Sequence, residues 1–103
     1  MRLEYYPVEK LKKEILNIVG KHLDLSKYKV FFFGSRVTGK GDDRSDVDVG
    51  IEGKEPVPTT AMGAIQEALF NDIETLYKID LVDFSEVDEK FKQVAKEKVE
   101  YLN

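Results

Sequence analysis

The stretch Val30-Phe31-Phe32-Phe33, closed by Gly34, constrains the fold more than any other part of the sequence. A continuous apolar, aromatic run this short has no polar side to offer solvent, so it reads as a strand buried on both faces. Farther along, Asp46-Val47-Asp48-Val49-Gly50-Ile51 alternates strictly. Successive strand residues point to opposite faces, so Val47, Val49 and Ile51 share one side while Asp46 and Asp48 share the other. Ile79 to Phe84 is a third apolar run, reads as a third strand, and contains Asp80 and Asp83.

Helical periodicity fills the remainder. Val8, Leu11, Ile15, Ile18/Val19 and Leu23 keep helical spacing behind Pro7, a residue favoured at a first helical position, and this helix should end by Asp24 to Ser26. Gly53, Pro56 and Pro58 mark a loop, after which Thr59 or Thr60 can cap a second helix with Ala61, Ile65, Leu69, Ile73 and Leu76 as its apolar stripe. Ser85, Glu86 and Asp88 form a third helix start, and that helix is expected to run toward Leu102 with Val87, Phe91, Val94 and Leu102 inward. The order α-β-loop-β-α-β-α implies an α/β (α+β) fold. A small mixed sheet would carry helices on one face and leave the other partly open for a site.

A chain of 103 residues has room for one domain, residues 1–103, and no internal repeat or linker divides it. Sixteen Lys and Arg against twenty Asp and Glu give a net charge of -4, which disfavours direct nucleic-acid binding, because that binding depends on phosphate neutralisation. The chain has no cysteine, so a disulfide framework and thiolate metal sites are excluded and a reducing cytoplasm is the default. No apolar run approaches the ~18 residues of a membrane span, and the N-terminal residues lack an apolar signal core.

The chemistry concentrates in Gly34-Ser35, ten intervening residues, and then Asp46-Val47-Asp48. Two carboxylates on one strand face repel each other, and a divalent cation is the usual remedy. Mg²⁺ prefers such oxygen ligands, retaining waters and adding substrate phosphates. Gly34 allows close approach of backbone to a phosphate, and Ser35 offers a hydroxyl and an N–H. Asp80 lies inside an apolar strand, where an unpaired acid costs several kcal/mol, and so asks for a reason. Beside Asp46 and Asp48 it would complete a metal site and accept a proton from an attacking hydroxyl. Asp83 has the opposite strand parity and is the weaker choice. Arg36, next to Ser35, could neutralise phosphate; Lys40 and Arg44 could do the same but read rather as a solvated loop. The competing reading is a solvated strand face beside a charged turn, Asp42-Asp43-Arg44.

Phe33-Gly34-Ser35-Arg36-Val37-Thr38-Gly39 through Ser45-Asp46-Val47-Asp48 resembles the signature of the DNA polymerase beta nucleotidyltransferase superfamily, and the short length resembles its minimal nucleotidyltransferase (MNT) branch. The resemblance spans Val30 to Phe84 and implies that Gly34 and Ser35 hold a triphosphate and that Asp46, Asp48 and Asp80 bind two Mg²⁺ ions. It further implies transfer of a nucleoside monophosphate, AMP from ATP, to a hydroxyl. The acceptor would be a tyrosine of a HEPN-domain toxin, which the chain would silence as a type VII-like antitoxin. Two rival functions follow from the same residues: a non-catalytic antitoxin that sequesters its partner, and a small-molecule nucleotidyltransferase whose acceptor site is completed by a partner or a second copy of the chain.

Several signals are decoys or minor. Gly34 to Lys40 matches the start of a P-loop, but Gly41 stands where Ser or Thr is needed. His22, the single histidine, reads as a surface residue near a helix end. Phe31 to Phe33 read as core, and Phe70 and Tyr77 as packing at the edge of the Leu69/Leu76 stripe.

Overall fold

The computed structural model describes residues 1–40 and 45–103. Arg44 and the Asp42-Asp43 turn lie outside the described residues. The elements are α1 (Val8–Gly20), β1 (Tyr28–Phe33), α2 (Ser35–Thr38), β2 (Val47–Gly53), α3 (Thr59–Asn71), β3 (Ile79–Asp83), α4 (Glu89–Ala95) and β4 (Glu100–Tyr101). The strands form one mixed sheet in the order β3-β2-β1-β4, with β1 antiparallel to β2 and β4, and β2 parallel to β3.

The alternation in β2 sorts its side chains as the sequence requires. Val47, Val49 and Ile51 join Val30, Phe32 and Ile79 beneath the two long helices, which contribute Leu11, Ile15, Ile18 and Val19 from α1 and Ile65 and Leu69 from α3. Full burial of such side chains is worth about 1.5–3 kcal/mol each, so this layer is the main source of stability. On the opposite face Phe31, Phe33 and Phe84 form a second cluster with Val82, Val87, Ala95 and Val99 packed against it. Rings of Phe31 and Phe33 meet that of Phe84 edge-on at 4.8 and 4.9 Å between centroids. The two long helices thus share one face, and short α4 closes part of the other, where Glu52 of β2 pairs with Lys92 of α4 and with Lys96, its C-cap. Asp48, Gly50, Asp80 and Val82 lie on this second face by strand parity.

Several sequence expectations change in the folded chain. The last helix ends at Ala95 rather than running toward Leu102. Glu100 and Tyr101 instead pair with Phe32 and Phe31, because the outer edge of β1 carries backbone groups that need partners. Leu102 N–H donates to Val30 O at 2.8 Å, and the Asn103 side chain accepts from Val30 N–H at 2.8 Å. Phe91 and Val94 remain 44% and 64% exposed rather than turned inward. The α4 cap is Asp88, whose carboxylate accepts from Phe91 N–H at 2.8 Å. Neither Thr59 nor Thr60 caps α3. Pro58 holds the cap position, and no side chain bonds there. Because α3 ends at Asn71, its stripe ends with it: Ile73 is buried, but Leu76 is fully exposed and Phe70 is 84% exposed rather than packed. Phe31 to Phe33 are buried as expected, and His22 lies at the surface. Among the described residues no helix is long and apolar enough to cross a membrane.

Gly50 makes room for the aromatic cluster. A Cβ there would come within 2.5 Å of the Phe31 ring and 2.8 Å of the Phe84 ring. Both rings are fully buried and packed on each other, so neither can yield without moving the sheet. Gly50→Ala is therefore expected to cost about 1–3 kcal/mol. Thermal denaturation should show a Tm lower by at least about 4 °C. An unchanged Tm would mean that the rings have room that the structure does not show.

Candidate active site

The pairing of β1 with β2 sets Phe33 opposite Asp48, so the residue that follows β1 lies against the second acid. That residue is Gly34, with φ 82° and ψ −162°, a backbone region reserved for glycine. A Cβ on Gly34 would come 2.3 Å from Asp48 Oδ2. The glycine turns the chain out of the sheet and brings its backbone onto a carboxylate, two tasks that no other residue can do here. One turn of helix follows, α2, with Val37 and Thr38 N–H both donating to Gly34 O at 3.1 Å. Ser35 is its first residue, and Gly39 ends it in the left-handed conformation. A single turn closed by glycine is not the long helix that a P-loop needs.

The parallel pairing of β2 with β3 sets Asp48 opposite Asp80. Asp46 lies just before β2, one residue ahead of Val47, whose N–H donates to Lys78 O at 2.8 Å. Burial, then the charge of Asp80, then that of Asp46 push the Asp48 carboxyl above its ordinary 3.8. Asp48 therefore feels the charge of both other predicted acids. Among the described residues, no three His, Cys, Asp or Glu side chains stand close enough to hold a metal ion by themselves.

Asp83 has a structural task instead. It is 8% exposed, accepts from Val57 N–H at 2.8 Å and from Ser85 N–H at 3.0 Å, and receives the Ser85 hydroxyl as well. Its parity argument from the sequence holds: it sits opposite Ile51 at the far end of β3.

Three residues near the acids were not singled out for the site from the sequence. Gln66 of α3 donates through Nε2 to Ile79 O at 3.0 Å and accepts from Leu81 N–H at 3.1 Å, so it clasps β3 on either side of Asp80. Lys78 Nζ lies 3.7 Å from Asp80 Oδ1, and being two residues away it shares that residue's strand face, a signal the alternation rule could have found. Tyr77 lies under the Arg36 guanidinium, 4.7 Å from ring centroid to Cζ. Arg36 also donates from Nε to Ser45 O at 3.0 Å. Gln66 and Tyr77 gave no signal, because their partners are set by how α3 and the β3 approach pack. A groove of about 860 Å³, lined by Gln66, Phe70, Leu76, Tyr77 and others, runs up to Asp80.

Residues 9–102 match the nucleotidyltransferase domain family. The chain belongs to that family. Haemophilus influenzae has a relative of this nucleotidyltransferase, the probable protein adenylyltransferase MntA, 34% identical over 88 residues, which make up 84% of this chain and 76% of that protein. Among solved structures, a chain of a toxin–antitoxin with AMP-PNP superposes with a TM-score of 0.70 at 18% identity, covering 89% of this chain and 72% of the other. A chain in the complex of tri-AMPylated Shewanella oneidensis HEPN toxin with MNT antitoxin superposes with a TM-score of 0.67 at 16% identity, covering 92% and 71%. These superpositions establish the nucleotidyltransferase fold. Enzymes of this family generally work with a divalent metal. The donors present fit one: two carboxylates opposed in register, with the proton affinity of Asp48 raised, are a set whose repulsion a hard cation relieves.

The burial of Asp48 and the charges beside it have a measurable sign. The folded chain holds the Asp48 proton to higher pH than the unfolded chain does. Ionisation therefore favours unfolding as pH rises from the ordinary 3.8 through the raised value. In metal-free buffer Asp48→Asn should raise Tm at pH 7, and the gain should shrink as pH is lowered below the ordinary aspartate range. Added Mg²⁺ should raise Tm of the parent but not of the variant. A gain independent of pH would remove the electrostatic account.

Proposed function

We propose that this chain transfers AMP from ATP to a tyrosine hydroxyl of a HEPN-domain toxin, and silences that toxin as a type VII-like antitoxin. The observation that carries the reading is the approach of Gly34 to Asp48 with Asp80 in register beside it. It sets a phosphate-holding turn against an acid pair, the two parts that nucleotidyl transfer requires. The 34% identity to MntA supports a protein acceptor.

Gly34 and Ser35 hold the triphosphate, and Arg36 adds positive charge to that end. Asp46, Asp48 and Asp80 would hold two Mg²⁺ ions, taking the remaining ligands from water and phosphate; when bound, the metal polarises the α-phosphate and offsets the charge that develops there. Asp80 lies on the edge strand, away from Gly34, where the groove opens, so the acceptor approaches from that side. The acceptor oxygen bonds to the α-phosphorus, the bond from that phosphorus to the bridging oxygen breaks, and pyrophosphate leaves. The hydroxyl proton passes to Asp80.

Incubation of the chain with ATP, Mg²⁺ and a HEPN partner, followed by mass spectrometry of the partner, should show AMP on tyrosine. Asp48→Asn is expected to lower transfer by more than about 100-fold, and Gly34→Ala to lower it comparably, because its Cβ would displace the acid. Transfer that survives Asp48→Asn at saturating Mg²⁺ would remove the catalytic reading. Full protection of cells by that variant would point to sequestration.

A further inference from the structure

Arg36 is held at two points and lacks a hydrogen-bond partner at a third among the described residues. Its Nε donates to Ser45 O at 3.0 Å, and its guanidinium lies on the Tyr77 ring at 4.7 Å. Its Nη2 is buried and has no hydrogen-bond partner among the described residues. A buried cationic N–H without an acceptor is costly, so the atom is suited to an anionic oxygen brought by a ligand.

The Tyr77 ring is itself fixed from behind. Its hydroxyl accepts from Glu4 N–H and Tyr5 N–H, each at 3.1 Å, and the Tyr5 ring stacks on it at 6.5 Å between centroids with 30° between planes. Its own N–H donates to Thr75 Oγ1 at 3.2 Å. A flexible arginine loses less freedom on binding when a rigid aromatic surface already holds it. Tyr77 stands three residues before Asp80, so the contact also joins the approach to the acid-bearing strand with the turn at Gly34.

We propose that Tyr77 is a positioning residue: its ring presets the Arg36 guanidinium so that Nη2 meets a phosphate oxygen of the bound nucleoside triphosphate. The inference rests on the nucleotidyltransferase reading above and concerns the ATP side of the site alone, so it needs no partner protein to be tested. The hydroxyl fixes the ring in place, and the ring face does the holding.

Calorimetric titration of ATP with Mg²⁺ into the full chain tests it, with Arg36→Ala, Tyr77→Leu, Tyr77→Phe and the Arg36→Ala/Tyr77→Leu double variant alongside. Tyr77→Leu should weaken binding about 3- to 10-fold, the range of a cation–π contact that is partly desolvated. Tyr77→Phe keeps the ring and should bind within about twofold of the parent, even if losing the hydroxyl lowers its Tm. The double variant should bind no more weakly than Arg36→Ala alone, because Tyr77 acts through Arg36. Parent-like binding by Tyr77→Leu, fully additive losses in the double variant, or a Tyr77→Phe loss as large as that of Tyr77→Leu would each overturn the positioning role while leaving the nucleotidyltransferase reading intact. A parent chain that binds no ATP with Mg²⁺ would overturn that reading first and this inference with it.

Discussion

The antiparallel pairing of β1 with β2 is the interaction on which the rest of the structure depends. It places Phe33 opposite Asp48 and Phe31 opposite Gly50. The first pair brings the end of β1 to the acid, and the second packs two aromatic rings where β2 has no side chain. A slip of one residue would turn Val47, Val49 and Ile51 out of the main core and bury the aspartates, so the hydrophobic pattern itself enforces the register. The candidate site sits at one end of that pair.

Stability and chemistry share the second face of the sheet unequally. Near α4 it is closed by the phenylalanine cluster and by Glu52 with its two lysines. Near Gly34 it carries Asp48, whose burial and acidic neighbours oppose its ionisation. The cost of burying that charge beside other acids works against folding, and it is sustained because the opposite face buries a continuous layer of aliphatic side chains. Gln66 contributes from that side too. By completing the backbone bonds of the edge strand on both sides of Asp80, it gives an exposed edge the fixed geometry of an inner strand.

Much of the candidate site was legible in the sequence, for definite reasons. The face that Asp48 takes follows from a period of two, although β2 begins only at Val47 and leaves Asp46 one residue short of the strand, and the choice of Asp80 over Asp83 follows from parity; Asp83 proved to be a loop anchor. Gly34 was legible as a turn because it ends an apolar run. What could not be read was any contact between elements distant in sequence: the ring of Tyr77 under Arg36, the clasp of Gln66 on β3, and the pairing of Glu100 and Tyr101 with β1. The last of these misled the helix prediction, since nothing in the local sequence stops a helix at Ala95. An unpaired strand edge outweighed a weak helical preference.

By itself, then, the sequence determined the first three strands, which face each of their side chains takes, the glycine that must leave the sheet, and the acids available to it. These are properties of single segments, set by side-chain alternation and backbone sterics. Only the tertiary structure decided which strands lie side by side, and with that the opposition of Asp48 to Asp80, the contact of Gly34 with Asp48, and the partner of the arginine beside them. Strand order and register arise from burying all the apolar faces at once, a condition on the whole chain that no local pattern expresses.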